Sequence, residues 1–165
     1  MDWQKIRGAA EKTLSDKYVL GLGAAAVLAN YLGLFELDGL GGYFQEVPHY
    51  DVLMHGTTAA ALGYTGVKAA ENLEVPVSKA EVAAGVLALG IGWEILEHYL
   101  ASGGILSVAE TGLTSNTAQD LAVDAGASYL AADYASKNGS KCPVLEYLER
   151  ANHYFHSLAT QKATA

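Results

Sequence analysis

An all-α fold is what this sequence predicts: a bundle of four transmembrane helices, with amphipathic cytoplasmic segments at the N- and C-terminal ends. Two observations carry the prediction and a third supports it. Four apolar stretches punctuate the 165 residues, and the ten Lys and Arg side chains are confined to alternate connections between them. Eighteen glycines among many alanines suit helices that approach one another closely.

The length fits one domain, expected over residues 1–136, followed by an amphipathic helix within 143–165. Pro48, Pro76 and Pro143 all fall where elements should end or begin. A single cysteine, Cys142, leaves no partner for an internal disulfide and no set for a cysteine zinc site. The formal net charge of −8 argues against nucleic acid as a partner. Mean hydropathy is +0.16, high for a water-soluble domain and low for a chain of Leu-rich spans.

The first 17 residues mix Asp2, Glu11 and Asp16 with Lys5, Arg7, Lys12 and Lys17, so no cleavable signal peptide is expected there. Residues 2–16 read instead as a weakly amphipathic helix. Tyr18 to Phe35 then runs 18 residues without a charge, the length at which a spanning helix becomes a candidate. Val52 to Val67 is uncharged apart from His55. Val82 to Trp93 continues in apolar pattern to Leu100 around Glu94 and Glu97, and Leu121 to Ala132 is broken only by Asp124. Taken singly, each stretch is equally a buried core helix.

Charge sorting breaks that tie. Lys5, Arg7, Lys12 and Lys17 precede the first stretch, Lys68 and Lys79 separate the second from the third, and Lys137, Lys141, Arg150 and Lys162 follow the fourth. Segments 36–51 and 101–117 contain no Lys or Arg. Four crossings put every basic residue on one side, as the positive-inside rule requires, with both termini cytoplasmic in the cell membrane. The expected helices lie near 18–35, 50–72, 80–100 and 117–136, with a cytoplasmic amphipathic helix near 143–160 that has Pro143 in its first turn. Tyr43, Tyr50, Trp93 and Tyr99 near one boundary, and Tyr18 and Tyr134 near the other, fit interfacial belts. Small residues every fourth position (Gly21, Ala25, Ala29, Gly33; Ala84, Ala88, Gly92) offer ridges for helix packing. Ser78 with Glu81 makes a capping box for the third span, and Asn116 with Gln119 a similar one for the fourth. His153 and His156 share a face of the last helix and read as a solvated pair.

The spacing of the ionisable groups inside the spans suggests a site. Asp51 and His55 are four apart in the opening turns of the second span, Glu94 and His98 four apart at the end of the third beside Glu97, and Asp120 and Asp124 four apart at the start of the fourth. Alternating topology brings all seven to one depth near the outer face, with no Lys or Arg there to pair them. A charged group within a membrane is costly and ordinarily faces a bundle interior or water. Carboxylates mixed with imidazole suit a divalent metal ion of the Zn, Mn, Fe or Mg kind. Asp51, His55, Glu94, Glu97, Asp120 and Asp124 are the candidate ligands; His55, Glu97 and His98 are the candidate catalytic groups. A wholly interfacial account competes with this, since acids in a first helical turn favour the helix dipole without any ligand.

"YDVLMH" (50–55), "WEILEH" (93–98) and "NTAQDLAVDAGASYL" (116–130) together resemble the YjdF-like and VanZ-like small membrane proteins. The shared pattern is Asp-x-x-x-His opening one span, Glu-x-x-Glu closing the next, and Thr-x-x-Asp-x-x-x-(Asp/Asn)-x-Gly opening the following one. Asp51, His55, Glu94, Glu97, Thr117, Asp120, Asp124 and Gly126 occupy those positions. VanZ-like members carry Gln in place of Glu97 and a nearby Arg that this chain lacks, so the YjdF-like branch fits better. The resemblance covers residues 50–130 and implies an integral membrane fold with a shared polar site; it implies no particular reaction.

Three functions are compatible with these residues. One is a metal-dependent membrane enzyme, hydrolytic, acting on a lipid or envelope substrate. Another is a cation-binding or transport module, although no ionisable residue lies deep in the opposite halves of the spans to form a relay. The last is a non-catalytic structural bundle, in a membrane or soluble in a high-salt organism. Lipid and a second copy of the chain are the expected partners.

Overall fold

A computed structural model describes residues 2–34, 50–102 and 115–138, with side chains described for 2–31, 50–96, 98–100 and 117–138. Among the described residues there are five α-helices and no strands: α1 Trp3–Leu14, α2 Lys17–Leu34, α3 Tyr50–Leu73, α4 Lys79–Ser102 and α5 Ser115–Asn138. The four long helices fall where the apolar stretches predict them. The expected C-terminal helix, the aromatic Tyr43 and the Asn116 side chain lie outside the described residues. No helix among the described residues is long and apolar enough to cross a membrane.

The helix ends follow from local chemistry. Asp2 caps α1 by accepting from Gln4 N at 2.9 Å. Asp16 Oδ1 accepts from both Tyr18 N and Val19 N, which satisfies two of the orphan donors opening α2. The expected capping box of α4 is present: Ser78 N donates to Glu81 Oε2 at 2.7 Å, and Glu81 N donates to Ser78 Oγ at 3.2 Å. After α3 the chain turns through Glu74 at φ 60, with Val75 N donating to Ala70 O and Glu74 N to Glu71 O. That bond pair is a Schellman motif, here with Glu where glycine is usual.

Side-chain contacts fix the directions. Tyr18 meets Tyr64 edge-on at 6.3 Å between ring centroids, and Asn30 Nδ2 donates to Thr58 Oγ1, so α2 and α3 are antiparallel. Lys79 pairs with Asp133 at one end of α4 and α5 while Thr117 bonds Glu94 at the other, so these two are antiparallel as well. α3 and α5 run parallel, and their contact is the most extensive among the described helices. They form a central pair, with α2 and α1 against α3 on one flank and α4 against both. At the crossing, a Cβ on Gly63 would stand 2.8 Å from Ser128 Cα and closer still to Ser128 O. Only glycine permits that approach.

The apolar core gathers at one end of the bundle, where Tyr18, Val19, Tyr64, Val67, Ala132 and Ala135 are buried together. Tyr18 is therefore a core residue and not part of an interfacial belt. The small-residue ridges also differ from expectation. Gly21, Ala25, Ala84, Ala88 and Gly92 are exposed, and the packed positions are one or two residues away: Ala26, Ala83, Val86 and Gly90 are buried. An Ala-rich helix offers several small-residue ladders at the same spacing, and the neighbours choose among them. α1 docks at the core end, with Ala9 and Thr13 buried, Asn72 Nδ2 donating to Thr13 Oγ1 at 2.9 Å, and Lys5 paired with Glu74 at 2.7 Å.

Candidate metal centre

The other end of the bundle is acidic. α3 starts at Tyr50, so Asp51 and His55 occupy its opening turns on one face. α5 starts at Ser115, which sets Thr117, Asp120 and Asp124 in its opening turns, all three buried. α4 runs the opposite way and delivers Glu94 near its far end. Because α3 and α5 are parallel and α4 antiparallel to both, the three helices meet at one level.

His55 is the hub. Its Nδ1 lies 3.2 Å from Asp124 Oδ1, its Nε2 3.5 Å from Glu94 Oε1 and 4.0 Å from Asp120 Oδ2. The first distance is a hydrogen bond. The other two are too long for one, yet the side chains are only 4–12% exposed. Thr117 Oγ1 donates to Glu94 Oε2 at 2.9 Å, which leaves Oε1 turned toward His55. Asp51 is half-buried at the edge, its Oδ1 accepting from Val52 N, and its charge bears on Asp120 together with those of Glu94 and Asp124. One imidazole thus stands among four carboxylates. All seven Lys and Arg among the described residues lie toward the opposite end, in α1, at the start of α2 and α4, and in the later turns of α3 and α5. Carboxylates crowded this way hold together when protons or a cation offset their repulsion.

One ligand atom from each of His55, Glu94 and Asp120 lies within 4.8 Å of the others, so the group could hold a metal ion. Donors bonded at about 2.0–2.2 Å to a tetrahedral ion stand roughly 3.4 Å apart, close to the 3.5 Å between His55 and Glu94, so only the Asp120 side need move inward appreciably.

Of the seven residues expected to converge, the structure brings together His55, Glu94, Asp120 and Asp124, with Asp51 at the margin. His98 does not join them: it is exposed at the end of α4. A residue four beyond Glu94 shares its face, but here the helix has already run past the shelter of α3 and α5. The Glu97 side chain lies outside the described residues. Three polar residues of the arrangement carry no site pattern in the sequence. Ser128 is fully buried and donates to Asp124 O at 2.6 Å, while Asn30 and Thr58 bond each other below the cluster. A buried Ser in an Ala-rich helix gives no signal of its own.

No family model matches this chain, and neither a curated protein nor a solved structure matches it. Fold and site together define a class all the same: an all-helical bundle with a His/carboxylate group at one pole that could hold a metal ion.

Proposed function

We propose that the chain is an integral membrane protein, with both termini cytoplasmic, whose acidic pole binds a divalent metal ion at the outer face. The observation that carries this is the convergence of His55, Glu94 and Asp120 at the pole opposite the described basic residues. Between the poles the described helices expose no charged group, whereas Val27, Leu28, Leu62, Leu89, Ile91 and Leu130 are 39–70% exposed. A solvated bundle ordinarily shows charge on that lateral surface. The helices fall short of spanning hydropathy when every residue is averaged. That average counts the inward acids and the glycines and alanines of the packed faces, whereas lipid meets only the outward side chains. At 24 residues each, α3, α4 and α5 are about 36 Å long, enough for a hydrocarbon core of about 30 Å. The resemblance to YjdF-like proteins agrees with this reading in its motifs.

Three protein ligands leave coordination positions for water or substrate, the arrangement of a catalytic rather than a closed structural ion. A bound ion there would lower the pKa of a water ligand and polarise an ester or phosphoryl oxygen. The second reading is hydrolysis of a lipid or envelope substrate by that means, with half-buried Asp51 a further carboxylate at the rim.

The test is metal analysis of protein extracted and purified in detergent, beside the Glu94→Gln/Asp120→Asn double variant. Wild type is expected to hold about one equivalent of a divalent metal and the variant almost none, since it loses two of three donors. Equal metal content in both sinks the site, and a wild-type protein recovered from the soluble fraction without detergent sinks the membrane reading.

A further inference from the structure

The cluster contains more carboxylates than one ion needs, and the geometry divides them into two kinds. Glu94 and Asp120 face His55 Nε2, whereas Asp124 faces Nδ1. An ionised carboxylate can only accept, so with Asp124 ionised and the ring neutral the 3.2 Å contact puts the ring proton on Nδ1. The Nε2 lone pair is then free and aimed into the space between Glu94 and Asp120. A metal-binding histidine is typically held in this way, its second nitrogen donating to a carboxylate that sets tautomer and ring angle and raises the basicity of the ligating nitrogen.

Asp124 is itself held from several sides. It lies in the buried part of α5, its own backbone carbonyl accepts from Ser128 Oγ, and its Oδ2 packs against the bare Cα of Gly90 on α4. A Cβ at Gly90 would overlap Asp124 Oδ2. Gly90 is thus the reason α4 can come close enough for Glu94, one turn further on, to reach the same point as Asp120. Thr117 does for Glu94 what Asp124 does for His55, fixing one oxygen so that the other faces inward.

We propose that Asp124 is a positioning carboxylate and not a metal ligand: it fixes His55 as the Nδ1–H tautomer, so that Nε2, Glu94 and Asp120 form a one-nitrogen, two-carboxylate site for a first-row transition metal ion. This rests on the metal-binding reading above. It also narrows that reading. An imidazole nitrogen held ready by a buried carboxylate suits zinc, manganese or iron, whereas magnesium and calcium take all-oxygen surroundings and more ligands. Gly90 is the second positioning residue, acting through Asp124.

The tautomer is measured first, on metal-free protein labelled with 15N-histidine in detergent micelles, at a pH where the His55 ring is neutral. Ring 15N shifts should give a protonated Nδ1 and an unprotonated Nε2. Asp124→Ala should shift the ring toward the Nε2–H form, and Gly90→Ala should do so in part. The same proteins are then titrated with Co2+ and Zn2+. Asp124→Asn should keep one-to-one stoichiometry and the visible Co2+ spectrum of wild type, with affinity lower by about 10–100-fold. Glu94→Gln and Asp120→Asn should lose the spectrum, and a large excess of Mg2+ should displace no Co2+. An Nε2–H ring in the wild type overturns the proposal, and so does an Asp124→Asn variant whose Co2+ spectrum is altered as in the Glu94 and Asp120 variants. Displacement by Mg2+ overturns the metal class. A wild-type protein that shows Nδ1–H but binds neither ion refutes the metal reading and, with it, the ligand division, while the His55–Asp124 hydrogen bond stands.

Discussion

Single residues decide how closely the central helices meet. Gly63 is pressed against the Ser128 backbone, and a rigid segment cannot yield as a flexible side-chain tip would. Gly63→Ala is expected to push α3 from α5 and to destabilise the protein by about 1–3 kcal/mol, the range for overpacking a filled site. Thermal unfolding of the purified protein would show it, and Gly85→Ala, where nothing lies within 4 Å, serves as the unstrained control, expected to gain up to about 1 kcal/mol from helix propensity. An unchanged Gly63→Ala midpoint would mean that the crossing is looser than described. Gly63 lies two turns from His55 on α3, so the same substitution should also weaken the His55–Asp124 contact. Spacing alone sets Gly63 near the face of His55, eight residues on, but its neighbour is decided by where the helices cross.

At the scale of the element, α1 is the least apolar helix, and polar ties join it to the last turn of α3 and to Glu74 just beyond. The Lys5 ammonium, hydrogen-bonded to Glu74, holds that carboxyl below the usual carboxylate range, with Lys12 adding a smaller pull. A depressed folded-state value means that the tie is present above the unfolded carboxylate pKa and is lost as pH falls through the folded one. An NMR titration of the Glu74 side-chain carbon should therefore show a midpoint lower than that of an unpaired Glu, and Lys5→Ala should return it toward the ordinary value. A midpoint indifferent to Lys5 would leave Asn72 to Thr13 and the buried Ala9 as the contacts that dock α1. Both groups of the ion pair are largely exposed, so its contribution to stability is small. The amphipathic character of residues 2–16 was legible in the sequence; its docking partner, brought alongside only by the Schellman turn at Glu74, was not.

Among the described residues, the basic side chains are confined to one end of the bundle. They stand at the core end, where acids pair with most of them, whereas the other pole carries acids and no Lys or Arg, and apolar side chains are exposed between. In the proposed topology a thiol probe should reach a cysteine placed at exposed His98 from outside intact cells, and one placed at Glu74 only after permeabilisation, each in a Cys142→Ser background. Labelling of both positions from outside, or of neither, would contradict the topology. The polar cluster and the core also divide the work along the axis. Tyr18, Tyr64 and the alanines of α5 hold the helices together at one end, so the other can carry repelling carboxylates.

The sequence by itself determined which segments are helical, where most of them end, and which residue types share a helix face. Those properties are local: hydrophobic periodicity, capping side chains and the four-residue repeat act within one stretch of chain. It also placed Asp51, His55, Glu94, Asp120 and Asp124 at one depth, because alternating helices return to the same level whatever their rotation. Rotation about each helix axis is what only the tertiary structure decided. It turned Glu94 inward while His98 stayed exposed, seated Tyr18 in the core, and chose Ala26 and Gly90 over the neighbouring small-residue ladders. It also set Asp124 on one nitrogen of His55 and Glu94 with Asp120 toward the other, since contacts between residues 69 apart depend on how three helices pack and not on any spacing within one of them.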